Sequence, residues 1–480
     1  MSTTRLSEQD VEAIARRIAA DLQRDGDAGA RAGTAATHAL LGAFATVGEA
    51  VQAATAAQPA FVALPLVVRA RIIAAIRVSM LTNSEALAQA AWEETGLGRA
   101  EDKIVKNRLV AEKTPGVEDL APVAVTGDHG LTLSEPAPFG VIGAITPCTN
   151  PTSTIICNAI GMLAAGNTVV FNVHPAARNC SLQTVALLNA AIGAAGGPPN
   201  VVTCVANPTI ESAQELMRHQ AVRLVVVTGG GAVVKAAMTS GKRAICAGPG
   251  NPPVVVDETA NIDKAGRDIV AGASTDNNII CVDEKEVICV DMVADGLVKA
   301  MTRNGAVLID RDRLAALEQV VFTRMNGPRR HAEINRDLIG KNADVILAKL
   351  GLTVPPATRL GIVEVDEDHP LLWTEQMMPI LPVCRVPNAG RAIELAVEVE
   401  GGNRHTAVMH SKNLDNLSRM AKECNCSIFV KNGRSQAGLG LDGEGSCSFT
   451  IASPTGEGLT SPRSFSRSRR CVLVDHFRIT

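Results

Sequence analysis

From Phe139 onward the chain alternates short, almost unbroken apolar runs with longer stretches of helical spacing. The apolar runs are FGVIGAIT (139–146), NTVVFNV (167–173), NVVTCVA (200–206) and RLVVVTG (223–229). The stretches between them, 152–165, 176–194 and 209–219, carry apolar residues at helical intervals. Strands buried on both faces read as continuous hydrophobic runs, and their alternation with helices predicts a parallel sheet covered on both sides. Ligands on such sheets bind beyond the carboxyl ends of the strands. Three loops therefore become candidates: Thr146-Pro147-Cys148-Thr149-Asn150-Pro151, Asn172-Val173-His174-Pro175 and Thr228-Gly229-Gly230-Gly231. The last is a glycine-rich turn from strand to helix, suited to a phosphate at a helix N-terminus. It is not the GxGxxG fingerprint, and a tight turn that needs glycine explains it equally well.

Residues 38–113 read as helical throughout, in the segments 40–54, 66–81 and 84–96. Residues 122–135 instead alternate around Gly127-Asp128-His129-Gly130, which predicts a hairpin, an arm suited to contacts between subunits. Near the start, 7–23 reads as an amphipathic helix. Ser7 is its N-cap, and Val11, Ile14, Ala15, Ile18 and Leu22 share one face. A small, polar linker, 25–37, follows. A tethered helix of this size cannot bury its stripe alone, so it docks on its own body or in a partner's groove. Ala247-Gly248-Pro249-Gly250-Asn251-Pro252-Pro253 breaks the pattern and opens a second α/β unit: helix 261–273, strand 285–290, helix 292–303, and further alternation to about 425. The end of the chain holds a last strand-like run, 471–479. The expected division is 1–37 as helix and linker, 38–246 as a first domain carrying the 122–135 arm, 247–425 as a second domain, and 426–480 as a return to the first domain and a segment for oligomer contacts.

Composition narrows the chemistry. A net charge of −3 in 480 residues, with both signs mixed, lacks the electrostatic footprint of a nucleic-acid binder. No apolar run approaches the roughly 18 residues of a membrane span. Aromatic residues are 2% with no tyrosine, so aliphatic side chains fill the core. Twelve cysteines show neither a disulfide framework nor zinc spacing, and read as reduced thiols in a cytosolic compartment. One of them stands apart. Cys281 sits where the polar run 274–278 gives way to Ile279-Ile280. It is either a buried structural thiol or a nucleophile whose thiolate is held by positioned amides and a helix N-terminus.

Five segments decide between these. GVIGAITPCTNP (140–151), AAGNTVVFNVHPAA (164–177), AICAGPGNPPVVVDETA (244–260), NNIICVDEKEV (277–287) and FTIASPTGEGLTSPRSF (449–465) together resemble the CoA-acylating aldehyde dehydrogenases. More narrowly they resemble the propionaldehyde/acetaldehyde dehydrogenases of bacterial microcompartments. The resemblance implies an aldehyde dehydrogenase fold: a Rossmann-like nucleotide-binding domain, an α/β catalytic domain and an oligomerisation arm. It implies a homo-oligomer, dimer or tetramer. It implies that 7–23 is an encapsulation peptide that docks on a shell protein, with the enzyme inside a microcompartment in the cytoplasm.

The same resemblance makes Cys281 the nucleophile in oxidising propanal, with acetaldehyde as second choice, to an acyl-CoA. The thioester forms with hydride transfer to NAD, or NADP, and coenzyme A then takes the acyl group. It implies no metal. It gives the oxyanion to the Cys281 amide and either Thr149 or Asn150. It gives the cofactors to Thr146, Pro147, Asn172, His174, Pro175 and the turn Thr228, Gly229, Gly230 and Gly231. Glu375, in TEQMMP, falls where the superfamily glutamate meets the nicotinamide ribose; a solvated glutamate at a helix end is the alternative. Departures matter too. Ala247 stands where hydrolytic members carry the glutamate that activates water, Asn172 replaces the ribose-binding lysine, and Val234 replaces the second glycine of the turn. A functional Cys281 is expected to be acidified, with Lys285 as a distant candidate cause. His405, in GGNRHTA, either lines the aldehyde path or is simply hydrogen-bonded. Cys148, Cys157, Cys180, Cys246 and Cys289 read as packing residues. The competing functions are a hydrolytic aldehyde dehydrogenase giving free acid and a non-catalytic shell adaptor.

Overall fold

A computed structural model describes residues 41–480. The helix expected at 7–23 and its linker lie outside the described residues.

The stretch read as helical from residue 40 begins instead with a two-residue strand, β1 (Ala43–Phe44), paired to Cys204 and Val205. Helix α1 (Val47–Val62) starts only where Thr46 caps it. The Thr46 hydroxyl accepts from Glu49 N, and the Glu49 carboxylate accepts from Thr46 N. This reciprocal cap fixes the first turn and leaves the residues before it free to extend the sheet edge. Helices α2 (Leu66–Thr82), α3 (Ser84–Thr95) and α4 (Ala100–Lys113) follow. The expected hairpin is present as β2 (Val123–Gly127) and β3 (Gly130–Pro138).

Next come β4 (Val141–Ile145), α5 (Pro151–Ala164), β5 (Thr168–Asn172), α6 (Arg178–Ala194), β6 (Val202–Val205), α7 (Ile210–Arg218), β7 (Val222–Thr228), α8 (Gly231–Met238) and β8 (Ala244–Ala247). The six strands form one parallel sheet in the order β1-β6-β5-β4-β7-β8. Successive residues of β4 enter different cores. Ile142 and Ala144 join one hydrophobic cluster, Val141 and Ile145 another. Both sheet faces are thus buried, which is why these strands lack polar alternation.

The second unit contains β9 (Pro253–Val256), α9 (Ile262–Ala273), β10 (Glu286–Val290), α10 (Asp291–Arg303), β11 (Ala306–Ile309), β12 (Leu360–Val365), β13 (Ile380–Val386), α11 (Ala389–Glu400), β14 (Thr406–His410), α12 (Leu414–Cys424) and β15 (Ile428–Lys431). Its seven strands are parallel, in the order β11-β12-β13-β10-β9-β14-β15. This sheet runs on to Lys431. The final strand, β16 (Ser466–Val474), pairs antiparallel with the whole of β3. It begins and ends five residues earlier than the apolar run 471–479. Its length is set by its partner, and charged residues are tolerated because the strand is exposed on both faces.

The two large sheets meet edge to edge. β8 ends at Ala247 and the chain crosses directly to β9, so the carboxyl edge of the first sheet faces the amino edge of the second. Cys281 precedes β10, Glu375 precedes β13 and His405 precedes β14. Because β13, β10, β9 and β14 are parallel neighbours, all three residues gather on that same edge.

Candidate active site

The polar run ahead of Cys281 is a left-handed corner. Asp276, Asn277 and Asn278 have φ of 46°, 55° and 65°. Asn and Asp enter this region more readily than other side-chain-bearing residues, because their short polar groups bond locally. Each is fastened. Asp276 Oδ1 accepts from Arg99 N at 2.7 Å, and Asp276 N donates to Asp102 Oδ2 at 2.8 Å. Asn277 Nδ2 donates to Gly340 O and Asn342 Oδ1. Asn278 Nδ2 donates to Ala273 O and Glu284 O. Lys285, fully buried, donates from Nζ to Asn278 O and Oδ1, both at 2.7 Å, and to Ile280 O at 3.2 Å. The corner thus places Cys281 by bonds on both sides. Gly250 closes against it: a Cβ there would lie 2.7 Å from Cys281 O and 2.9 Å from His405 Cγ. The Cys281 carbonyl and the imidazole therefore flank one close-packed glycine.

The electrostatics reverse one expectation. Burial, then the charges of Glu375 and Asp283, push the Cys281 thiol up to about 12, with Lys285 acting in the opposite direction. The next helix along the chain starts only at Asp291. The Lys285 ammonium is engaged by three oxygen atoms of the corner. In this state the thiol is neutral rather than acidified. Glu375 is not a solvated helix-end residue. It is half-buried between a short turn, Pro370–Trp373, and β13. Burial raises its carboxyl affinity for a proton, against Lys285 and a hydrogen bond from the Gly250 amide.

His405 is buried, and burial with Lys285 lowers its pKa to about 4. Its Nδ1 shares a hydrogen with Thr406 Oγ1 at 2.9 Å, while Nε2 is buried with no partner. The hydrogen-bonded reading holds for one nitrogen, and the other is an unpartnered buried group.

The three candidate loops leave β4, β5 and β7, parallel neighbours, so they share the carboxyl edge. Thr146 is buried with a hydroxyl lacking a partner, and Pro147 is half-buried. Cys148 packs on Ala91, Ala177 and Cys180, as expected of a packing thiol. Asn172 commits its amide to the start of α7: Oδ1 accepts from Ser212 Oγ at 2.6 Å and Nδ2 donates to Thr209 O at 3.5 Å. His174 and Pro175 are exposed, and His174 Nδ1 accepts from Ala176 N. Thr228 Oγ1 bonds Thr450 Oγ1 at 3.0 Å. Gly230 caps α8 without a side-chain bond, and a Cβ on Gly230 or Gly231 would meet nothing within 4 Å. Exposed amides at an uncapped helix start fit the pyrophosphate of a dinucleotide or of CoA. Ala247, at the end of β8, is a buried methyl with no carboxylate to offer.

Sequence reasoning missed the buried cations of α4. Lys103 and Lys106 are both buried against Asp276, and Lys106 Nζ donates to Asn150 Oδ1 at 2.6 Å. The signal was there: Lys103, Lys106, Asn107 and Val110 fall at i, i+3, i+4 and i+7, the spacing of a core-facing stripe. Polar residues on such a stripe call for a buried partner. A cavity of about 130 Å³ lies beside this group, lined by Val105, Lys106, Leu109, Ile280, Leu439 and Leu441 among others. Its walls also carry Asp102, Thr275, Arg434 and Gln436, so they are mixed in character.

The sequence profile of the aldehyde dehydrogenase family matches residues 31–441. The chain belongs to the aldehyde dehydrogenase family. This aldehyde dehydrogenase falls in the CoA-acylating branch. It is 49% identical, over 99% of its length and 100% of the relative's, to the acetylating acetaldehyde dehydrogenase EutE of Escherichia coli (strain K12). Among solved structures, it is 50% identical to a propionaldehyde dehydrogenase of Rhodopseudomonas palustris with bound CoA and an acylated cysteine, with a TM-score of 0.88 over 90% of this chain and 98% of that one. A propionaldehyde dehydrogenase from the fucose utilisation microcompartment of Clostridium phytofermentans is 48% identical, with a TM-score of 0.88 over 92% of this chain and 100% of that one. Among the described residues no helix is long and apolar enough to cross a membrane.

Proposed function

We propose that this chain oxidises a short aliphatic aldehyde, propanal first and acetaldehyde second, to its acyl-CoA through a thioester on Cys281. The observation that carries the reading is a cysteine held by a fastened left-handed corner at the junction of the two sheets, with a methyl group at Ala247 where a water-activating carboxylate would stand. Cys281 Sγ adds to the aldehyde carbon and the oxyanion is held by the Cys281 amide and a side-chain donor. Of Thr149 and Asn150, the geometry supports Asn150, because its Oδ1 is engaged by Lys106 and its NH2 is turned the other way. A nicotinamide dinucleotide, NAD or NADP, supplies the hydride acceptor and a positive ring charge that lowers the thiol pKa. Glu375 holds that ring's ribose, a role supported by its charge acting on the thiol. His174, Pro175 and the turn Thr228–Gly231 offer an exposed edge for the pyrophosphates of dinucleotide and CoA in succession. Thr146 and Pro147 back this edge. The thiol of CoA then displaces Cys281 and carries off the acyl group, since water has no base to help it.

Residues 7–23 serve as the docking helix for a microcompartment shell protein. The exposed sheet β2-β3-β16 serves subunit contacts in a dimer or tetramer.

The test is mass spectrometry of enzyme given propanal and NAD without CoA. A propionyl adduct on the peptide carrying Cys281 is expected, with none in Cys281→Ala. An adduct on another cysteine, or free propionate released as fast without CoA as propionyl-CoA is with it, overturns the proposal.

A further inference from the structure

We infer that Lys106 is a positioning residue that fixes which way the Asn150 amide faces, and so sets up the side-chain donor for the oxyanion; this rests on the thioester reading above. An ammonium has three protons and no acceptor. Lys106 Nζ spends its protons on Asp276 Oδ2, on Asn150 Oδ1 at 2.6 Å and on Thr149 O at 3.4 Å. The Asn150 atom that faces it must therefore be the carbonyl oxygen, and the flipped amide is excluded. The NH2 group lies on the other side. One of its protons goes to Thr149 Oγ1 at 3.2 Å, and no second protein acceptor is found for it among the described residues.

The Asp276 carboxylate faces two buried ammonium groups. The fully buried Asp276 carboxylate already holds Lys103 Nζ at 2.9 Å and Arg99 N at 2.7 Å. Lys106 is the second buried cation on that carboxylate, and burial pulls its pKa down to about 8 against the attraction of Asp276. Beyond its charge, Lys106 adds a link. One side chain joins Asp276, in the corner leading to the nucleophile, with Asn150, the residue that precedes α5. Lys106 and Ile280, the neighbour of Cys281, line the same cavity. The link therefore ties the residue before α5 to the corner that carries the nucleophile.

A purely structural crosslink predicts otherwise, and a double-mutant cycle separates the two. The readout is the single-turnover rate of reduced-nicotinamide formation with propanal and NAD, CoA withheld. Lys106→Met is expected to slow this step by about 10²-fold, the usual cost of one oxyanion donor, and Asn150→Ala by a similar factor. Lys106→Met in the Asn150→Ala background is expected to cause no further loss, because the group it positions is gone. Lys106→Gln, a neutral donor that still reaches Asn150, is expected to lose less than Lys106→Met. If Lys106→Met does not fold, the same cycle run with Lys106→Gln carries the test. Losses that multiply in the double variant, or a wild-type rate in Lys106→Met, overturn the inference. A wild-type enzyme that forms no reduced nicotinamide without CoA overturns the thioester reading and this inference with it.

Discussion

The Cys281 sulfur is the residue on which the chemistry turns, and its surroundings hold it neutral before any ligand arrives. Glu375 and Asp283 favour the proton, Lys285 disfavours it, and burial outweighs all three. Replacing Glu375 by Gln removes a negative charge, so the thiol pKa falls and the thiolate fraction at pH 8 rises. Alkylation of Cys281 by iodoacetamide at pH 8, without cofactor, is expected to run several-fold faster in Glu375→Gln than in the wild type. A slower reaction would mean that Glu375 acts on the thiol as a base rather than as a charge. At this scale the sequence was legible for Cys281 and Glu375, whose neighbours in the chain mark them. For Lys106 and His405 the type of residue was legible but the role was not, because Asp276, Asn150 and Gly250, which surround them, are distant in sequence.

At the scale of elements, the corner at 276–278 depends on the loop between α3 and α4. Gly98 has φ +70°, donates from N to Gly340 O at 2.8 Å, and comes so close to Asp276 that any Cβ would strike the carboxylate. Gly98→Ala pays for a left-handed alanine, about 1–2 kcal/mol, and must also move Asp276. The variant is expected to unfold at lower urea concentration, and its single-turnover rate is expected to fall with it, since the displaced carboxylate anchors both lysines. A variant that loses stability and keeps the wild-type rate would show that the corner tolerates the shift. The helix starts tell a related story. α1 begins where the Thr46 and Glu49 cap dictates, a signal the sequence carried in plain view, whereas β1 forms only because β6 offers an open edge.

Across the whole molecule, two parallel sheets set edge to edge make a site that neither contains alone. The third sheet stands away from both cores. Val123, Val125, Val472 and Val474 on it are each more than half exposed. Apolar residues on an exposed sheet mark an interaction surface. Deleting residues 466–480 is expected to lower the oligomer's mass by light scattering, and an unchanged mass would place the subunit contacts elsewhere. Deleting residues 1–25 is expected to leave turnover in solution unchanged while releasing the enzyme from shells.

The alternation of apolar runs and helical spacing fixed the two α/β units, because strand and helix periods are local properties of the chain. The order of motifs and the alanine at 247 fixed the branch of chemistry, because reactive residue types need no fold to be recognised. Strand order belonged to the tertiary structure. It brought the segments before β10, β13 and β14 to one edge, and through that edge it decided the charge around the thiol. Burial and non-local pairing set a pKa, and neither is written in the residues beside Cys281.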